Sequence, residues 1–169
     1  MDFSELINKR YSVRSYKPDP IDPDVLLNVL DAARLAPTAS NRQPFQIIVI
    51  QAVGREKELL SICNRDWFIQ APIVLCLCST PISAWVRKDG KHYLGVDIGI
   101  VMDHLVLAAT VMGLGTCIIA AFDERNARKV LSLPDDVDPM LFTPLGYPAD
   151  VPGIKKRKNL EKLVRYDHW

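Results

Sequence analysis

The sequence feature that most limits how this chain can fold is a segment, residues 96–112, that is apolar almost all the way round. Twelve of its 17 residues are apolar, and Gly113 follows as a natural C-terminal stop for a helix. A helix of this kind must be covered on nearly every side. One layer of sheet in a 169-residue chain cannot easily do that, so we expect a second subunit to cover the rest. The few polar side chains fall at two narrow positions of the helical wheel: Asp97, Asp103, His104 and Thr110.

Helix and strand patterns alternate along the rest of the sequence. Asp22 followed by Pro23 predicts a helix start, and apolar residues spaced three or four apart continue that helix to about Leu35. Further helices are predicted over residues 3–8 and 54–63 and from an Asp123 cap to residue 131, and a loop over 80–94. Apolar runs predict strands over residues 45–50, 73–78, 116–119 and 140–145, the first two buried on both faces. This order predicts an α+β or α/β layered sheet with helices on its faces, in one domain spanning residues 1–169.

Charge and hydropathy exclude several partners. Twenty-one basic and 20 acidic residues give a net charge of +1, which offers no electrostatic footprint for nucleic acid or anionic lipid. No uninterrupted apolar run is long enough to span a membrane, and the N-terminal residues lack the apolar core of a signal peptide. We therefore expect a cytoplasmic protein with no nucleic-acid or membrane partner.

The usual catalytic and metal-binding motifs are missing. Cys76 and Cys78 are spaced to lie on one face of a strand and are interpreted, like the other two cysteines, as buried apolar residues rather than metal ligands. There is no phosphate-binding P-loop, no nucleophile elbow and no helical zinc motif. Gly113 and Gly115 are followed by Ile118 where a dinucleotide fingerprint requires glycine. His104 is interpreted as structural, so an enzyme with this sequence would depend on a bound cofactor.

Three polar clusters could together hold one flat, phosphorylated ligand. Arg10, Ser12 and Arg14 combine two guanidinium forks with a hydroxyl, which suits a phosphate. Residues 37–41 form a loop of small polar groups, and residues 155–158 form a basic run. Each cluster also has an ordinary interpretation, because basic runs are usually solvated and loops of this composition are usually turns.

Five stretches of sequence favour the hypothesis of one phosphorylated ligand over the interpretation of these clusters as solvated basic runs and turns. In chain order they are residues 10–14 (RYSVR), 36–45 (APTASNRQPF), 113–123 (GLGTCIIAAFD), 144–149 (PLGYPA) and 163–169 (LVRYDHW). Together they closely resemble the FMN-dependent nitroreductase family, and the match runs in register over essentially the whole chain. The chain is similar to a small member of that family.

The resemblance implies an α+β sandwich, with a mixed sheet flanked by helices, that forms an intertwined homodimer with FMN at the subunit interface. The C-terminal tail, which follows Gly153, would extend onto the partner subunit. There it could add a strand to the partner's sheet. Arg14 would lie near the N1/O2 edge of the flavin ring, and Asn64 would contact its pyrimidine edge. The resemblance assigns the phosphate and ribityl end to Arg10, Ser12, Lys155 and Arg157, and it includes Tyr11 as part of the first motif. Along the ring it places Ile118, Ala120 and Ala121, with the Ala120 N–H facing N5. From the other subunit it assigns Pro37, Thr38, Ala39 and Asn41.

The implied activity is an FMN-dependent NAD(P)H oxidoreductase with ping-pong hydride transfer to a nitroaromatic, quinone or similar acceptor, in which no protein side chain is catalytic. Two departures from the family affect the substrate: the Thr80–Leu94 segment is short, and Trp67 falls where many members have a lysine near the flavin. A specialised flavoenzyme acting on one metabolite and a non-catalytic flavin-binding or scaffold dimer remain as alternatives.

Overall fold

A computed structural model describes all 169 residues. It contains five α-helices and one four-stranded sheet, which confirms the predicted α+β class. The helices are α1 (Phe3–Lys9), α2 (Pro23–Arg34), α3 (Glu56–Ile62), α4 (Leu94–Val111) and α5 (Glu124–Leu131), and the strands are β1 (Phe45–Gln51), β2 (Ile73–Ser79), β3 (Gly115–Thr116) and β4 (Asp138–Gly146).

Side-chain caps determine where three of the helices begin. Asp2 caps α1 and forms a reciprocal capping box with Glu5. Asp22 accepts a hydrogen bond from the backbone of the first turn of α2, and Pro23 occupies the first helical position. Asp123 accepts a hydrogen bond of 2.8 Å from the Asn126 N–H at the start of α5. The two starts predicted from sequence, at Asp22 and Asp123, are therefore confirmed.

The sheet has the strand order β1-β2-β4-β3, and every neighbouring pair of strands is antiparallel. Parallel pairing is confined to one bridge between Ser12 and Thr116, so the sheet is less mixed than the resemblance implied. All seven residues of β2 are buried, as predicted. The prediction that β1 is buried on both faces is wrong, because β1 lies at the sheet edge and only Ile50 is fully buried.

Alternating residues of β2 divide the core into two halves, one on each face of the sheet. Ile73, Leu75 and Leu77 pack in a cluster with α2 and α4. Val74, Cys76 and Cys78 point the other way and pack with α3 and α5. The molecule is therefore a sandwich of two helical layers around a central sheet. The sulfur atoms of Cys76 and Cys78 are 3.5 Å apart in the second half, where their hydrogen bond and burial raise the pKa of Cys76.

Helix α4 is buried along most of its circumference and keeps one side exposed, on which Asp103 lies among apolar residues. Val96 and Val111 are 53% and 50% exposed, and Gly99 lies between them on the same side. With a mean hydropathy of 1.7 over 18 residues, α4 has the length and composition of a membrane span, as core helices also can. Six buried apolar residues of α4 pack in the cluster with the sheet and α2, and they are Ile98, Val101, Met102, Leu105, Val106 and Ala109. Asp97 and Thr110 are also buried.

Two segments differ in detail from the sequence prediction. The strand predicted over residues 116–119 forms only two ladder residues in β3, and Ile119 then pairs with Phe142 as an isolated bridge. The predicted loop over residues 80–94 contains a small hairpin closed by a bridge between Val86 and His92. After Gly153 the tail has one short 3-10 turn, Leu160–Lys162, and Trp169 is fully exposed.

Candidate functional site

The site is built around the segment from Arg10 to Arg14, which runs beside β3. The Val13 N–H donates a hydrogen bond of 2.9 Å to the Thr116 carbonyl. A Cβ atom on Gly115 would lie 2.6 Å from Val13 Cγ2, so only glycine permits this approach. The segment is thereby held next to the chain that continues from β3.

Asp150 fixes the same segment from the other side. The Tyr11 hydroxyl donates to the Asp150 carbonyl at 3.0 Å and to its carboxylate at 3.1 Å, and the Arg14 N–H donates to that carboxylate at 2.8 Å. Burial, together with this hydrogen bond, raises the pKa of Tyr11 to about 12. Sequence reasoning missed Asp150, although it directly follows the 144–149 motif.

A cleft of about 340 Å³, here called the Arg14 cleft, opens beside this segment. It brings together four residues that the resemblance assigned to one ring: Arg14, Ile118, Ala120 and Ala121. No carboxylate and no histidine lines it, so its charge is positive. The complete lining is Arg14, Cys63, Arg65, Trp67, Cys117, Ile118, Ile119, Ala120 and Ala121.

Backbone N–H groups along one wall of the cleft alternate between bonded and unbonded. The Cys117 N–H donates to Thr143 Oγ1 at 3.0 Å, and the Ile119 N–H donates to the Phe142 carbonyl at 2.8 Å. The N–H groups of Ile118 and Ala120 make no hydrogen bond within the chain. These two residues line the cleft, so it holds backbone donors that a ligand could satisfy.

The two cysteines of the cleft are not activated nucleophiles. Burial raises the pKa of the Cys117 thiol, although Arg14 and Ser12 oppose the rise. Burial likewise raises the pKa of the Cys63 thiol against the effect of Arg65. Since the thiolate is the reactive form, both side chains act as small buried residues.

A second cavity, of about 460 Å³ and here called the Lys155 cavity, gathers cations from both ends of the chain. Arg10, Lys155 and Arg157, which the resemblance assigned with Ser12 to the phosphate, line it beside Asp103. The Lys155 ammonium donates to the Ile7 carbonyl at 2.9 Å and to the Asn8 carbonyl. Burial, followed by the charges of Arg10 and Arg157, lowers the pKa of Lys155. A group of cations that repel one another in this way favours an anion.

The remaining assigned residues lie outside these two cavities. Ser12 pairs with Thr116, and the Tyr11 hydroxyl is engaged by Asp150. Asn64 lines an adjoining cavity of about 490 Å³, which shares Arg65 with the Arg14 cleft. Pro37, Thr38, Ala39 and Asn41 line neither cavity of this subunit.

The Pro37–Asn41 loop is held by Asp97, which sequence reasoning had treated only as a polar position on α4. Asp97 Oδ1 accepts a hydrogen bond of 2.8 Å from the Ala39 N–H. The other carboxylate oxygen is buried without a partner. Ser40 and Asn41 adopt left-handed backbone conformations, with φ of 52° and 53°. The loop is therefore an ordered turn at the start of α4.

The sequence profile of the nitroreductase family matches this chain over residues 7–64 and 60–147. A nitroreductase family protein from Clostridium difficile superimposes with a TM-score of 0.92 at 35% identity, and the match covers 100% of both chains. A nitroreductase family protein from Clostridium novyi gives a TM-score of 0.80 at 34% identity, covering 89% of this chain and 87% of that one.

Two relatives with named activities are more distant. A Bacillus subtilis protein named FMN reductase (NAD(P)H) is 28% identical over 163 residues, which cover 86% of this chain and 66% of the relative. A Thermus thermophilus protein named NADH dehydrogenase is 27% identical and covers 92% of this chain and 91% of the relative. The family predicted from the five motifs is confirmed: this chain belongs to the nitroreductase family.

Proposed function

We propose that residues 1–169 form one FMN-binding domain and that the protein is an NAD(P)H oxidoreductase acting on a nitroaromatic, quinone or similar acceptor. One observation chiefly supports this proposal: two arginines only four residues apart line different cavities. Arg14 lines the Arg14 cleft and Arg10 lines the Lys155 cavity. A ligand with a flat ring at one end and a phosphate at the other suits such a pair. The names of the relatives from Bacillus subtilis and Thermus thermophilus agree with this chemistry.

The residues of the Lys155 cavity fit the phosphate end of FMN. Arg10 and Arg157 offer guanidinium donors and Lys155 an ammonium, and none of the three forms an ion pair with a carboxylate. Burial and then the charges of Arg10 and Arg157 lower the pKa of Lys155, and a phosphate would relieve that repulsion. The Ser12 hydroxyl would donate to another oxygen of the same end.

The residues of the Arg14 cleft fit the ring of FMN. The unbonded N–H of Ala120 would serve the ring atom N5, and Ile118 and Ala121 would lie along the ring. Arg14 would place a fixed positive charge where negative charge develops on reduction, which favours the reduced state. Asn64, in the adjoining cavity, would reach the pyrimidine edge, and Tyr11 would hold the segment through Asp150.

FMN, when bound, would carry two electrons from the nicotinamide of NAD(P)H to the acceptor. The protein would orient both substrates in the same cleft and needs no nucleophile of its own. No carboxylate or histidine lines the Arg14 cleft, so the proton comes from solvent. For a quinone, NAD(P)H and one proton give NAD(P)⁺ and the hydroquinone. We expect ping-pong kinetics, with NAD(P)⁺ leaving before the acceptor enters.

We further propose that the protein works as a homodimer in the cytoplasm. The exposed stripe of α4 around Val96 and Val111, the free edge of β1 and the exposed tail are the surfaces that a partner would cover. The partner would also bring its own Pro37–Asn41 loop, which lines neither the Arg14 cleft nor the Lys155 cavity of its own subunit, to the bound FMN. Sedimentation at a mass of 38 kDa, twice that of the 19.0 kDa chain, is the expected result, and a folded monomer would contradict it.

A specialised flavoenzyme acting on one metabolite is the second candidate. The short segment that follows Thr80 favours it, because this segment folds on itself instead of extending as a wall. Arg87 pairs with Asp89 and donates to the Tyr93 hydroxyl at 2.6 Å, and the rings of Trp85 and Tyr93 meet edge to face. Slow reduction by both nicotinamides with rapid reoxidation by a single metabolite would favour this candidate.

The absorbance spectrum of the purified protein, followed by anaerobic stopped-flow mixing with NADH and with NADPH, tests the main proposal. We expect a yellow protein that loses its visible absorbance within seconds and regains it when a quinone is added. Protein that retains no FMN after incubation with an excess contradicts the proposed cofactor. Protein that holds FMN but shows no turnover with any acceptor would instead support the non-catalytic alternative.

A further inference from the structure

Five residues of the Arg14 cleft are not assigned to FMN, and three of them lie close together in the sequence: Cys63, Arg65 and Trp67. They belong to the turn that follows α3. The Arg65 N–H donates to the Cys63 carbonyl at 2.8 Å, and the Phe68 N–H donates to the Arg65 carbonyl at 2.9 Å. Cys63 and Phe68 are buried at the two ends of this turn, so its position beside the cleft is fixed.

The guanidinium of Arg65 is not neutralised by the protein. It makes no side-chain hydrogen bond and takes part in none of the five ion pairs of the chain, which use Arg34, Arg55, Arg87 and Arg128. Asp123 shares the adjoining cavity with Arg65, but its carboxylate caps α5. A cation at the edge of a largely apolar cleft with no competing carboxylate attracts an anion.

Trp67 forms a fixed aromatic wall next to this charge. Its ring is partly buried and packs against two core clusters. The guanidinium carbon of Arg14 lies 6.0 Å from the centre of the ring, within the range of a cation–π contact. The indole N–H has no acceptor within the chain, so a ligand can use this donor together with the part of the ring that Arg14 does not cover.

Resting on the function proposed above, we propose that the electron acceptor is a planar aromatic molecule that carries a carboxylate. The carboxylate binds the guanidinium of Arg65, whose forked donors suit two oxygens, and the aromatic ring packs against Trp67. Arg65 and Trp67 are then specificity-determining residues, and their role is separate from that of Arg14, which serves the cofactor.

The test compares 4-nitrobenzoate with 4-nitrobenzamide, which has nearly the same shape but no charge. We expect the FMN-loaded protein to favour the benzoate in kcat/KM, and Arg65→Gln to reduce the ratio of the two kcat/KM values about tenfold. Arg65→Lys should retain part of the preference. Arg125→Gln is the matched control, because Arg125 is an exposed arginine on α5 without a side-chain hydrogen bond, and it should leave the ratio unchanged.

A binding measurement provides a readout independent of turnover. The dissociation constants of benzoate and benzamide are obtained from the change that each causes in the flavin absorbance, and Arg65→Gln should weaken only benzoate. Trp67→Leu should weaken both ligands, and Trp67→Phe should restore much of the loss because it keeps an aromatic face.

The results separate this inference from the proposed function. Loss of FMN or of reduction by NAD(P)H in the parent protein contradicts the proposed function. If FMN is held and reduced normally, an unchanged benzoate preference in Arg65→Gln, or a parent preference for the amide, overturns the inference alone. An Arg65→Gln protein whose only change is a higher KM for NAD(P)H also overturns it, because Arg65 then serves the phosphates of the nucleotide.

Discussion

The replacement Arg10→Ala tests whether the Lys155 cavity holds the phosphate of FMN. Arg10, Lys155 and Arg157 share this cavity without a paired carboxylate. A hydrogen bond between charged groups contributes about 1.5–3 kcal/mol, so losing one should raise the Kd of FMN about tenfold to hundredfold. The FMN-free protein should be no less stable, because the change removes one of three like charges.

The same cavity predicts how FMN affinity depends on pH. Burial and the charges of Arg10 and Arg157 lower the pKa of Lys155 from its ordinary value of 10.5. Since the doubly charged phosphate binds the charged ammonium, affinity is highest between the second pKa of the phosphate, about 6, and the lowered pKa of Lys155, and it declines as the pH rises through the latter. Arg10→Ala removes one cause of the lowering and should move the decline to higher pH, whereas Lys155→Gln should abolish it.

Both effects are measured by titrating FMN-free protein with FMN and following the flavin fluorescence over a range of pH and salt concentration. Arg125→Ala is the control, because this exposed arginine on α5 lines neither cavity. The affinity of the parent protein should weaken with added salt, as expected for exposed charges. A Kd for Arg10→Ala within about threefold of the parent value, less than one charged hydrogen bond would cause, refutes the reasoning.

Four further predictions concern stability and assembly. Gly115→Ala should lower the free energy of unfolding by about 1–3 kcal/mol in urea, whereas Gly153→Ala, which has no neighbour within 4 Å, should leave it unchanged. Phe142→Ala, which removes a fully buried ring, should cost about 3–5 kcal/mol, and a loss below 1 kcal/mol would contradict the described packing. Asp97→Ala should lower the thermal midpoint of unfolding and weaken FMN retention. Asp97→Asn keeps an oxygen that accepts the hydrogen bond from the Ala39 N–H, so its thermal midpoint and FMN retention should stay close to those of the parent protein. Val111→Asp should shift sedimentation from dimer to monomer, and an unchanged mass would exclude α4 from the interface.

The parts of the fold that follow local rules could be predicted from the sequence. Asp22 with Pro23 and Asp123 identify helix starts because a cap depends only on residues within one turn. The position of β1 at the edge of the sheet could not be predicted in this way. Its apolar run looks the same as that of β2, and only the strand order decides which of the two is covered.

Residues of the candidate site that belong to a family motif could be proposed from the sequence. Residues whose role depends on tertiary contacts could not. Arg10 and Lys155 are far apart in sequence, and only a family resemblance could associate them. Asp150 was missed because its role depends on the segment that it meets, not on its neighbours in the chain. Arg65 was missed for a similar reason, since its position beside the cleft follows from the burial of Cys63 and Phe68.

The hydrogen bonds between the two ends of the chain also determine when the site can form during synthesis. Tyr11 is bonded to Asp150, 139 residues later, and Lys155 is bonded to Ile7, 148 residues earlier. Contacts of such high sequence separation form slowly and cannot form before both partners exist. The chain must therefore be synthesised as far as Arg157 and leave the ribosome to that point before the cation cluster is complete, so the phosphate of the proposed cofactor can be bound only after that.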